Sequence, residues 1–435
     1  MVTDAVAERP KAETAFPYGL RLALTLLVLA LYWYGHRVPL PLVNPAIREV
    51  SPELGARTSV LTLETYPLWT GFFLVELFAV ATSAGRRLAR SGAGGRGRLN
   101  RAALIISLSL AALQAASMAR YLEVMSGPGG DPMVATPGVG FSLITIVTLT
   151  AATAALFAAG QFLSAYGVGN GFALLALCKI AETIVTALPK AQREIADMPA
   201  VGVGLLVALA LGVVIFQFIR RSEDQWIPAF PQSILPAHAT LWLLPLAIAL
   251  SIPRTAALAL PLILTPLLSW AGFHLFSSRA RLEASLPEPA ETLDGIAESL
   301  RRRMVPATAL LTFGAVAMMA WREYWPSNVT FALTFSEMIV VLAIGFDLRD
   351  QYRFQQRHGQ TSLLARLDDV HFSYRLEERL QEEEIAALAR GHHLRSLFFF
   401  FGAIYKIDVL VPEERLGRAR EVMTEVEMAR EIKAF

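Results

Sequence analysis

Residues Gln161–Ile180 read QFLSAYGVGNGFALLALCKI, a glycine-rich turn with one asparagine between two apolar stretches. The G-x-G-x-G spacing differs from a dinucleotide-binding fingerprint, because Phe172 stands where that fingerprint requires its third glycine. A potassium-filter loop is also excluded, since Lys179 and Glu182 follow within about three helical turns and a pore-helix pattern does not precede the turn. The function of the turn therefore has to be sought in the apolar segments on either side of it.

The composition is typical of a membrane protein with several spans. Of the 435 residues, 54% are hydrophobic and 17% are charged, and the mean hydropathy is +0.46. The single cysteine, Cys178, lies in an apolar stretch, which excludes a disulfide framework and a thiolate metal cluster. The N-terminal segment carries acidic residues and is not followed by a cleavage-like site, so a removable signal peptide is not expected.

Ten apolar segments approach the length of roughly 20 residues that a membrane-crossing helix needs. The seventh is short, and its prolines predict a bent or broken helix that faces protein or water. The predicted spans are Tyr18–Gly35, Thr62–Ala84, Ala102–Tyr121, Phe141–Ala165, Phe172–Leu188, Val201–Ile219, Ala239–Ile252, Ala257–Phe276, Val305–Arg322 and Phe331–Phe346.

Arginines crowd into alternate loops, and the positive-inside rule places those loops and both termini in the cytoplasm. Ten spans divide into five plus five, and an odd number in each half makes the halves insert in opposite orientations, which is the pattern of an inverted repeat. This arrangement fits a protein-conducting channel and a secondary transporter equally well. The arginines are Arg86, Arg87, Arg90, Arg96, Arg98 and Arg101, then Arg220 and Arg221, then Arg279, Arg281, Arg301, Arg302 and Arg303.

Several fragments together resemble the SecY family of protein-export channels. GVGNGFALLALCKIAETIVTALP, from Gly167, resembles the family signature in which a glycine-asparagine-glycine turn opens the fifth helix and a Leu-Pro closes it. The similarity runs in collinear order from Arg21 to Gln351. The other fragments are RLALTLLVLALYWYGHRVPLPLVN, TLETYPLWTGFFLVELF, GRGRLNRAALIISLSLAALQAASMA, ILPAHATLWLLPLAIALSI and FALTFSEMIVVLAIGFDLRDQ.

The glycine turn then has a structural explanation. A tight turn needs glycine for positive φ, and Asn170 is expected to cap the following helix by accepting a hydrogen bond from its first free N–H groups. The motif is therefore interpreted as a marker of the fold and not as a binding site.

The resemblance implies an all-α polytopic membrane protein, with ten transmembrane helices in two inverted five-helix halves, followed by a small cytoplasmic α+β C-terminal domain. The predicted parts are a cytoplasmic segment at residues 1–16, helical halves at 17–190 and 191–350, a linker at 351–368 and the α+β domain at 369–435.

In the SecY family a ring of apolar side chains from the second, fifth, seventh and tenth helices seals the pore, because such a constriction dewets. Ordinary helix packing is the alternative explanation for each of these residues, and Trp69 departs from the aliphatic residues that the family prefers. The ring positions implied here are Trp69, Phe73, Ile180, Ile184, Ile248 and Ile339.

The lateral gate of the family lies between the second and third helices on one side and the seventh and eighth on the other, and here Glu76 and Gln114 match gate positions. An ionisable side chain within a span suggests function, although Glu76 is also close enough to the cytoplasmic end to reach water near Arg86. Lys179 and Glu182 are spaced i, i+3 and are predicted to form a structural pair. Glu64 and Glu337 are further isolated carboxylates.

The cytoplasmic loops are short or altered relative to the family, in which they dock the ribosome and the motor ATPase, and the plug segment is also shortened. Residues that remain available for docking are Arg220, Arg221, Arg301, Arg302 and Arg303.

The tail after Asp347 is foreign to the family. Its patterns predict strand HFSYRL, a helix ending at Gly391, strand LRSLFFFFG, strand IYKIDVLV and a final helix from Pro412. VLVPEERLGRAREVM resembles small α+β signal-transducing modules. A nucleotide loop, zinc ligands or a catalytic set are not recognised in the tail, and His392 and His393 are interpreted as surface residues, so a regulatory or docking role is predicted.

The resemblance implies a passive channel for export or membrane insertion of polypeptides, without enzymatic activity or cofactor, in the bacterial inner membrane. Its partners would be the lipid bilayer, the translocating polypeptide, SecE- and SecG-like subunits, and the SecA-type motor or the ribosome, without readout of nucleic acid. A secondary transporter that uses Glu64, Glu76, Lys179, Glu182 or Glu337 as coupling groups is the alternative. A paralogue that exports one dedicated substrate is a third interpretation.

Thiol labelling from outside the cell tests this topology. A Gly129→Cys variant is expected to react with a membrane-impermeant reagent, whereas a Gly94→Cys variant is expected to stay unlabelled because its loop is cytoplasmic. The reverse labelling pattern would contradict the ten-span arrangement.

Overall fold

The structure, a computed structural model, describes residues 18–44, 58–90, 92–126, 130, 132–182, 291–299, 335–367, 370–397 and 404–433, with a few positions between 185 and 313. The chain divides into two units, one built mainly from residues 12–179 and the other mainly from residues 180–435.

The first unit is helical. Its helices are α1 (Tyr18–Gly35), α2 (Tyr66–Ala81), α3 (Ser83–Arg90), α4 (Gly92–Val124) and α5 (Val139–Tyr166), and a further helix occupies residues 171–182. Pro67 stands in the first turn of α2, where its missing N–H leaves no intrahelical bond unmade. Helix α4 packs against both α2 and α5, and α1 packs against α5.

Two helices of the described residues, Gly94–Val124 and Val139–Tyr166, are long and apolar enough to cross a membrane by length and composition. Gly19–Gly35 and Tyr66–Ala79 are shorter apolar helices. In the most apolar 18-residue stretch of each long helix only 28% is buried, and large apolar side chains such as Ile105 and Val147 are exposed. A core helix of a soluble protein would be mostly buried, so this exposure favours a lipid-facing surface. The sixth to ninth predicted spans lie almost wholly outside the described residues.

Close contact between α2 and α4 depends on Gly71. A β-carbon at Gly71 would lie 2.2 Å from Ser107 Oγ and 2.7 Å from the Ser107 backbone nitrogen. Ser107 Oγ lies 2.7 Å from the Ala103 carbonyl oxygen and 3.3 Å from that of Leu68, and these carbonyls satisfy the buried hydroxyl. Small residues of this kind let two helix backbones approach where lipid supplies no hydrophobic drive for association.

Irregular segments after α1, before α2 and between α4 and α5 cover one end of the helices. They meet through isolated antiparallel bridges, Pro39 with Ser59 and Val43 with Val134. Their apolar side chains join the helices in one cluster, in which Leu40 and Met133 are each 1% exposed. Backbone hydrogen bonds link these segments, for example from the N–H of Asn44 to the Met133 carbonyl oxygen at 3.0 Å and from the N–H of Leu40 to the Thr58 carbonyl oxygen at 2.8 Å.

The glycine turn is held between α5 and helix 171–182. Gly169 has φ +80°, and Asn170 Oδ1 accepts a hydrogen bond from the N–H of Ala173 at 3.1 Å. Both features confirm the prediction from the sequence. Arg21 of α1 donates from Nε (3.0 Å) and Nη2 (2.8 Å) to the Gly167 carbonyl oxygen, which the sequence did not indicate.

Gly171 crosses α5 at Gly160, where a β-carbon on Gly171 would lie 2.1 Å from the Gly160 carbonyl oxygen. The adjacent Phe172 is 2% exposed, and a β-carbon on Gly160 would lie 2.6 Å from its ring. Side chains are therefore excluded from both positions, and the signature glycines permit a backbone crossing.

The second unit contains a short helix at 291–299, the long helix α6 (Phe335–His358), and a tail of mixed structure. The tail elements are β1 (Thr361–Leu367), α7 (Val370–Glu382), β2 (Leu388–Arg390), α8 (His392–Leu397), β3 (Ile407–Pro412), a 3-10 turn (Glu413–Arg415) and α9 (Leu416–Lys433). The sheet order is β1-β3-β2 with both pairs antiparallel. Helices α7 and α9 pack on it around a core that includes Leu376, Val409 and Val422, each 0% exposed.

Asp408 lies at the centre of the sheet, opposite Arg366 of β1 and Arg390 of β2. Its Oδ1 accepts a hydrogen bond from Arg366 Nε at 2.7 Å, and Arg390 pairs with its other oxygen. Burial alone would raise the pKa of Asp408, but the two guanidinium groups outweigh it and hold that pKa below its usual value. A carboxylate on the middle strand thus ties together both outer strands.

The structure differs from the sequence prediction in part of the tail. HFSYRL is helical and not a strand, because Phe372, Leu376 and Leu380 recur every four residues and are all buried. The residues predicted as a linker at 351–368 contain the end of α6 and strand β1. Residues 394–397, predicted as a strand, belong to α8. The strand before Pro412 and the final helix are confirmed in type.

The helix predicted to reach Gly391 ends at Glu382. Glu384 has φ +56°, and hydrogen bonds run from the N–H of Glu384 to the Gln381 carbonyl and from the N–H of Ile385 to the Leu380 carbonyl. This is a Schellman-type helix end, which usually carries glycine in the left-handed position. Because glutamate occupies that position here, the composition did not reveal the stop.

Substitution of Gly171 by alanine should destabilise the first unit by about 1–3 kcal/mol, because the new β-carbon overlaps the Gly160 carbonyl. Gly97→Ala is the matched control, since nothing lies within 4 Å of a β-carbon there. Unfolding of the purified protein in mixed detergent micelles measures both changes, and equal stabilities of the two variants would contradict the crossing.

Candidate functional site

Helix α2 has distinct faces. Leu68, Phe72 and Val75 are at most 5% exposed and form its core face, and the Phe72 ring stacks on Phe157 of α5 with centroids 6.1 Å apart. Leu74, at 42% exposed, lies on the outer face. The core face fixes how the rest of α2 is presented.

Trp69, Phe73 and Glu76 lie between these faces on one stripe of α2, at i, i+4 and i+7. Trp69 and Phe73 are half-buried, whereas Glu76 is 7% exposed. The two predicted ring residues of α2 and the predicted gate carboxylate therefore share one helix face.

Glu76 is paired with Arg96 near the start of α4, and Arg96 Nη1 lies 2.5 Å from Glu76 Oε1. The side chains are 9% and 23% exposed, respectively. The sequence suggested Arg86 as the neighbouring cation, but the structure brings Arg96 to the carboxylate because α4 packs along α2. Gln114, the other predicted gate residue, is half-buried on α4.

Of the remaining predicted ring residues, the structure describes the side chain of Ile180 only. Ile180 is 5% exposed in the helix at 171–182. Ile184 and Ile248 lie outside the described residues, and Ile339 belongs to α6 with its side chain outside the description. The ring as a whole stays a prediction.

The docking arginines are also partly described. Arg301 and Arg302 are 67% and 78% exposed in their side chains, and the Nε of each lies 3.1 and 3.2 Å from the Glu298 carboxylate. Such exposed pairs contribute little to stability and leave the guanidinium groups accessible to a partner. Arg220, Arg221 and Arg303 lie outside the described residues.

Glu64 forms a charged cluster with Lys179 and His36. Lys179 Nζ lies 3.0 Å from Glu64 Oε1, and His36 Nε2 lies 3.7 Å from the same oxygen. Glu64 has φ +49°, a left-handed conformation that costs about 1–3 kcal/mol unless its surroundings enforce it. The predicted partner of Lys179 was Glu182, one turn away. Sequence reasoning missed Glu64 because 115 residues separate the pair, a spacing that carries no local signal.

A second cluster joins the end of α6 to the tail. Asp347 Oδ1 and Oδ2 accept hydrogen bonds from the backbone N–H groups of His393 (3.2 Å) and Leu394 (3.1 Å). His393 Nε2 lies 3.1 Å from Asp350 Oδ2. His393 is 3% exposed and His392 is half-buried, so their interpretation as surface residues was wrong. Their burial follows from the packing of α6 on α8, which the sequence did not indicate.

Burial changes the pKa values in this cluster. It raises the pKa of Asp347 to about 6 and that of the neighbouring Glu377 to about 7, and it lowers the pKa of His392 to about 3. Burial would also raise the pKa of Asp350, but hydrogen bonds from His393 and Arg349 outweigh it and hold that pKa at about 2. At Asp347 and Glu377 burial outweighs the attraction of His393 and the backbone hydrogen bonds, so the charged form of both carboxylates is disfavoured.

Comparison with known proteins finds sequence similarity to the SecY family in a segment that includes most of the first unit. A family model described as SecY matches residues 59–223, which include α2, α4, α5 and the glycine turn. The protein translocase subunit SecY of Aquifex aeolicus (strain VF5) is 27% identical over 225 residues, which cover 46% of this chain and 52% of the relative. The SecY subunit of Rickettsia conorii is 24% identical over 231 residues, which cover 49% and 53%. The chain thus spans about half the length of these curated relatives.

A solved structure extends the likeness of the fold. It is described as showing that the plug domain of SecY stabilises the closed state of the translocation channel and maintains a membrane seal. The match has a TM-score of 0.50 at 13% identity and covers 80% of this chain and 94% of the other. At this identity the likeness concerns the fold alone, which is mostly helical and of the SecY type.

A double-mutant cycle tests whether the Glu64–Lys179 pair is structural. Glu64→Gln and Lys179→Gln should each lower the free energy of unfolding, because each leaves one charge without its partner. The double variant should lose less than the sum of the two, with a coupling energy of about 0.5–3 kcal/mol. Unfolding in mixed micelles measures the cycle, and strictly additive losses would contradict the pair.

Proposed function

We propose that the chain is a divergent SecY-like protein that forms a protein-conducting channel for the export or membrane insertion of polypeptides. The observation that carries the proposal is the SecY match over residues 59–223. The structural likeness over 80% of the chain supports the same fold beyond that segment. The channel is passive, and a partner supplies the driving force.

The proposed architecture has ten spans in two inverted five-helix halves, with both termini in the cytoplasm of a bacterial cell and the spans in its inner membrane. The alternating arginine-rich loops support this orientation. The two long, largely unburied apolar helices of the described residues support a lipid-facing surface. The tail after α6 is then a small cytoplasmic α+β domain.

The proposed constriction consists of Trp69 and Phe73 together with Ile180, Ile184, Ile248 and Ile339. Trp69 and Phe73 are half-buried beside the core face of α2, which supports a position that is neither in the packed core nor exposed to lipid. An apolar ring of this kind excludes water and ions while the channel is at rest, and it widens when a polypeptide passes through.

The proposed lateral gate is the seam bordered by Glu76 and Gln114. The Glu76–Arg96 ion pair ties α2 to α4 near the predicted cytoplasmic end, so these two helices would move as one wall of the gate. If α2 moved away from α4, the Glu76 carboxylate would lose its partner and face lipid, which would cost several kcal/mol.

The proposed partners are the translocating polypeptide, SecE- and SecG-like subunits, and a SecA-type motor or the ribosome. Exposure of Arg301 and Arg302 supports docking of an acidic or RNA-containing partner on that loop. Arg220, Arg221 and Arg303 are the other proposed docking residues. The tail is proposed to regulate or receive such a partner.

A secondary transporter is the second candidate from the sequence, but two of its candidate coupling carboxylates are held in ion pairs. Glu64 pairs with Lys179, and Glu76 pairs with Arg96. A carboxylate that must bind and release a proton or sodium ion needs access to solvent, whereas these two hold neighbouring helices together. The ion pairs therefore favour the channel.

Site-specific photocrosslinking distinguishes these functions. A photoreactive residue at Ile184 or Ile339 should form adducts with a stalled secretory polypeptide, because a ring residue contacts every segment that passes. The matched control is the same residue at Ile105, which is 66% exposed on α4 and should yield no adduct if it faces lipid. Absence of adducts at all ring positions, together with solute uptake that Glu64→Gln abolishes, would overturn the channel in favour of the transporter.

A further inference from the structure

We propose that Asp347, His392 and His393 form a binding site for one divalent transition-metal ion of the zinc type, which fastens the tail to the end of α6. Each residue offers a ligand atom, and these three atoms all lie within 4.8 Å of one another. Two imidazoles and one carboxylate form the ligand set that zinc, cobalt and nickel ions accept.

The backbone brings the ligands together from two distant parts of the chain. His392 and His393 open α8 immediately after Gly391, which has φ +85° and turns the chain out of β2. Asp347 lies on α6, which packs against α8. The two imidazole rings have centroids only 3.8 Å apart, so both present nitrogens to the same small volume.

Each imidazole is oriented by an acceptor on one of its nitrogens. His392 Nδ1 lies 2.8 Å from the Ala389 carbonyl oxygen, and because a carbonyl only accepts, this nitrogen carries the proton and donates. The lone pair of His392 is then on Nε2. His393 Nε2 lies 3.1 Å from the Asp350 carboxylate, and when it donates there, the lone pair of His393 is on Nδ1. A carbonyl and a carboxylate behind the ligands are the outer partners that metal-binding histidines commonly have.

The hydrogen bonds of Asp347 are compatible with metal binding. Each of its carboxylate oxygens accepts one backbone N–H and has a second lone-pair direction for a cation. Asp347 is half-buried, and its pKa stays raised because burial outweighs the attraction of His393 and the two backbone hydrogen bonds, so its charge is not fully compensated. A bound divalent cation would compensate that charge.

The test uses the full chain purified in detergent with a histidine-free affinity tag and stripped with a chelator. Cobalt(II) is titrated and followed by its visible absorption, which is intense when two imidazoles and a carboxylate bind in a four-coordinate site. One equivalent should bind saturably, and zinc should displace it with loss of the absorption.

Three variants locate the site. Asp347→Asn removes the charge but keeps one oxygen that can accept from one of the two α8 N–H groups, and it should weaken cobalt binding at least tenfold with the tail still folded. His392→Gln combined with His393→Gln should abolish binding. Asp350→Asn, which acts through His393, should weaken it about 10–100-fold. His358→Gln is the matched control, because His358 is exposed at the end of the same helix and its loss should change nothing.

Hydrogen exchange of the α8 amides provides a readout besides absorption, since zinc should slow their exchange in the parent chain and not in Asp347→Asn. Failure of the parent chain to bind one equivalent of cobalt, or equal binding by the parent and the double histidine variant, would overturn the site. Neither outcome bears on polypeptide transport, so the site and the channel are tested separately.

Discussion

The backbone crossing of Gly171 over Gly160 is the contact on which the first unit depends. A side chain on Gly171 would start 2.1 Å from a carbonyl oxygen, so the two segments can pack only as bare backbone. This proximity buries Phe172 against Phe157 and sets the direction of the helix that carries Lys179 and Ile180. The glycine turn is thus important because it positions Lys179 and Ile180 on the following helix.

Hydrogen bonds from a guanidinium group and an ion pair then join segments that the glycine turn has brought close. Arg21 binds the Gly167 carbonyl and anchors α1 to the turn, and Lys179 reaches Glu64 at the start of α2. Charges buried in an apolar setting are stable only when paired with good geometry, so each pair restricts how far its helices can separate. In the proposed channel, these contacts would restrain the helices that do not part when the gate opens.

Helix α6 runs without interruption from Phe335 to His358 and leads into the tail. Asp347 and Asp350, one turn apart on α6, both form hydrogen bonds with His393 of α8. Strand β1 begins three residues after the end of α6. Within the tail, Asp408 balances two arginines across the sheet. The tail is thus attached to α6 by polar contacts between α6 and α8.

The amino-acid sequence by itself determined the features that depend on local chemistry. Apolar length predicts membrane-crossing helices, glycine at 169 provides positive φ, Asn170 caps the next helix, and the fragments around the turn carry the family resemblance. The β3 strand and α9 were also predicted in type, because their apolar spacing is unambiguous. Each of these signals lies within a few residues of its effect.

Only the tertiary structure decided which distant charges meet. Glu64 with Lys179, Glu76 with Arg96, and Asp347 with the histidine pair are joined by helix packing, and no spacing along the chain encodes such contacts. The tail shows the same limit, since HFSYRL alternates like a strand yet becomes helix because Leu380 extends a spacing of four into the core. The local sequence pattern limits which secondary structures a segment can adopt. The one that buries its apolar side chains in the assembled core is then the stable one.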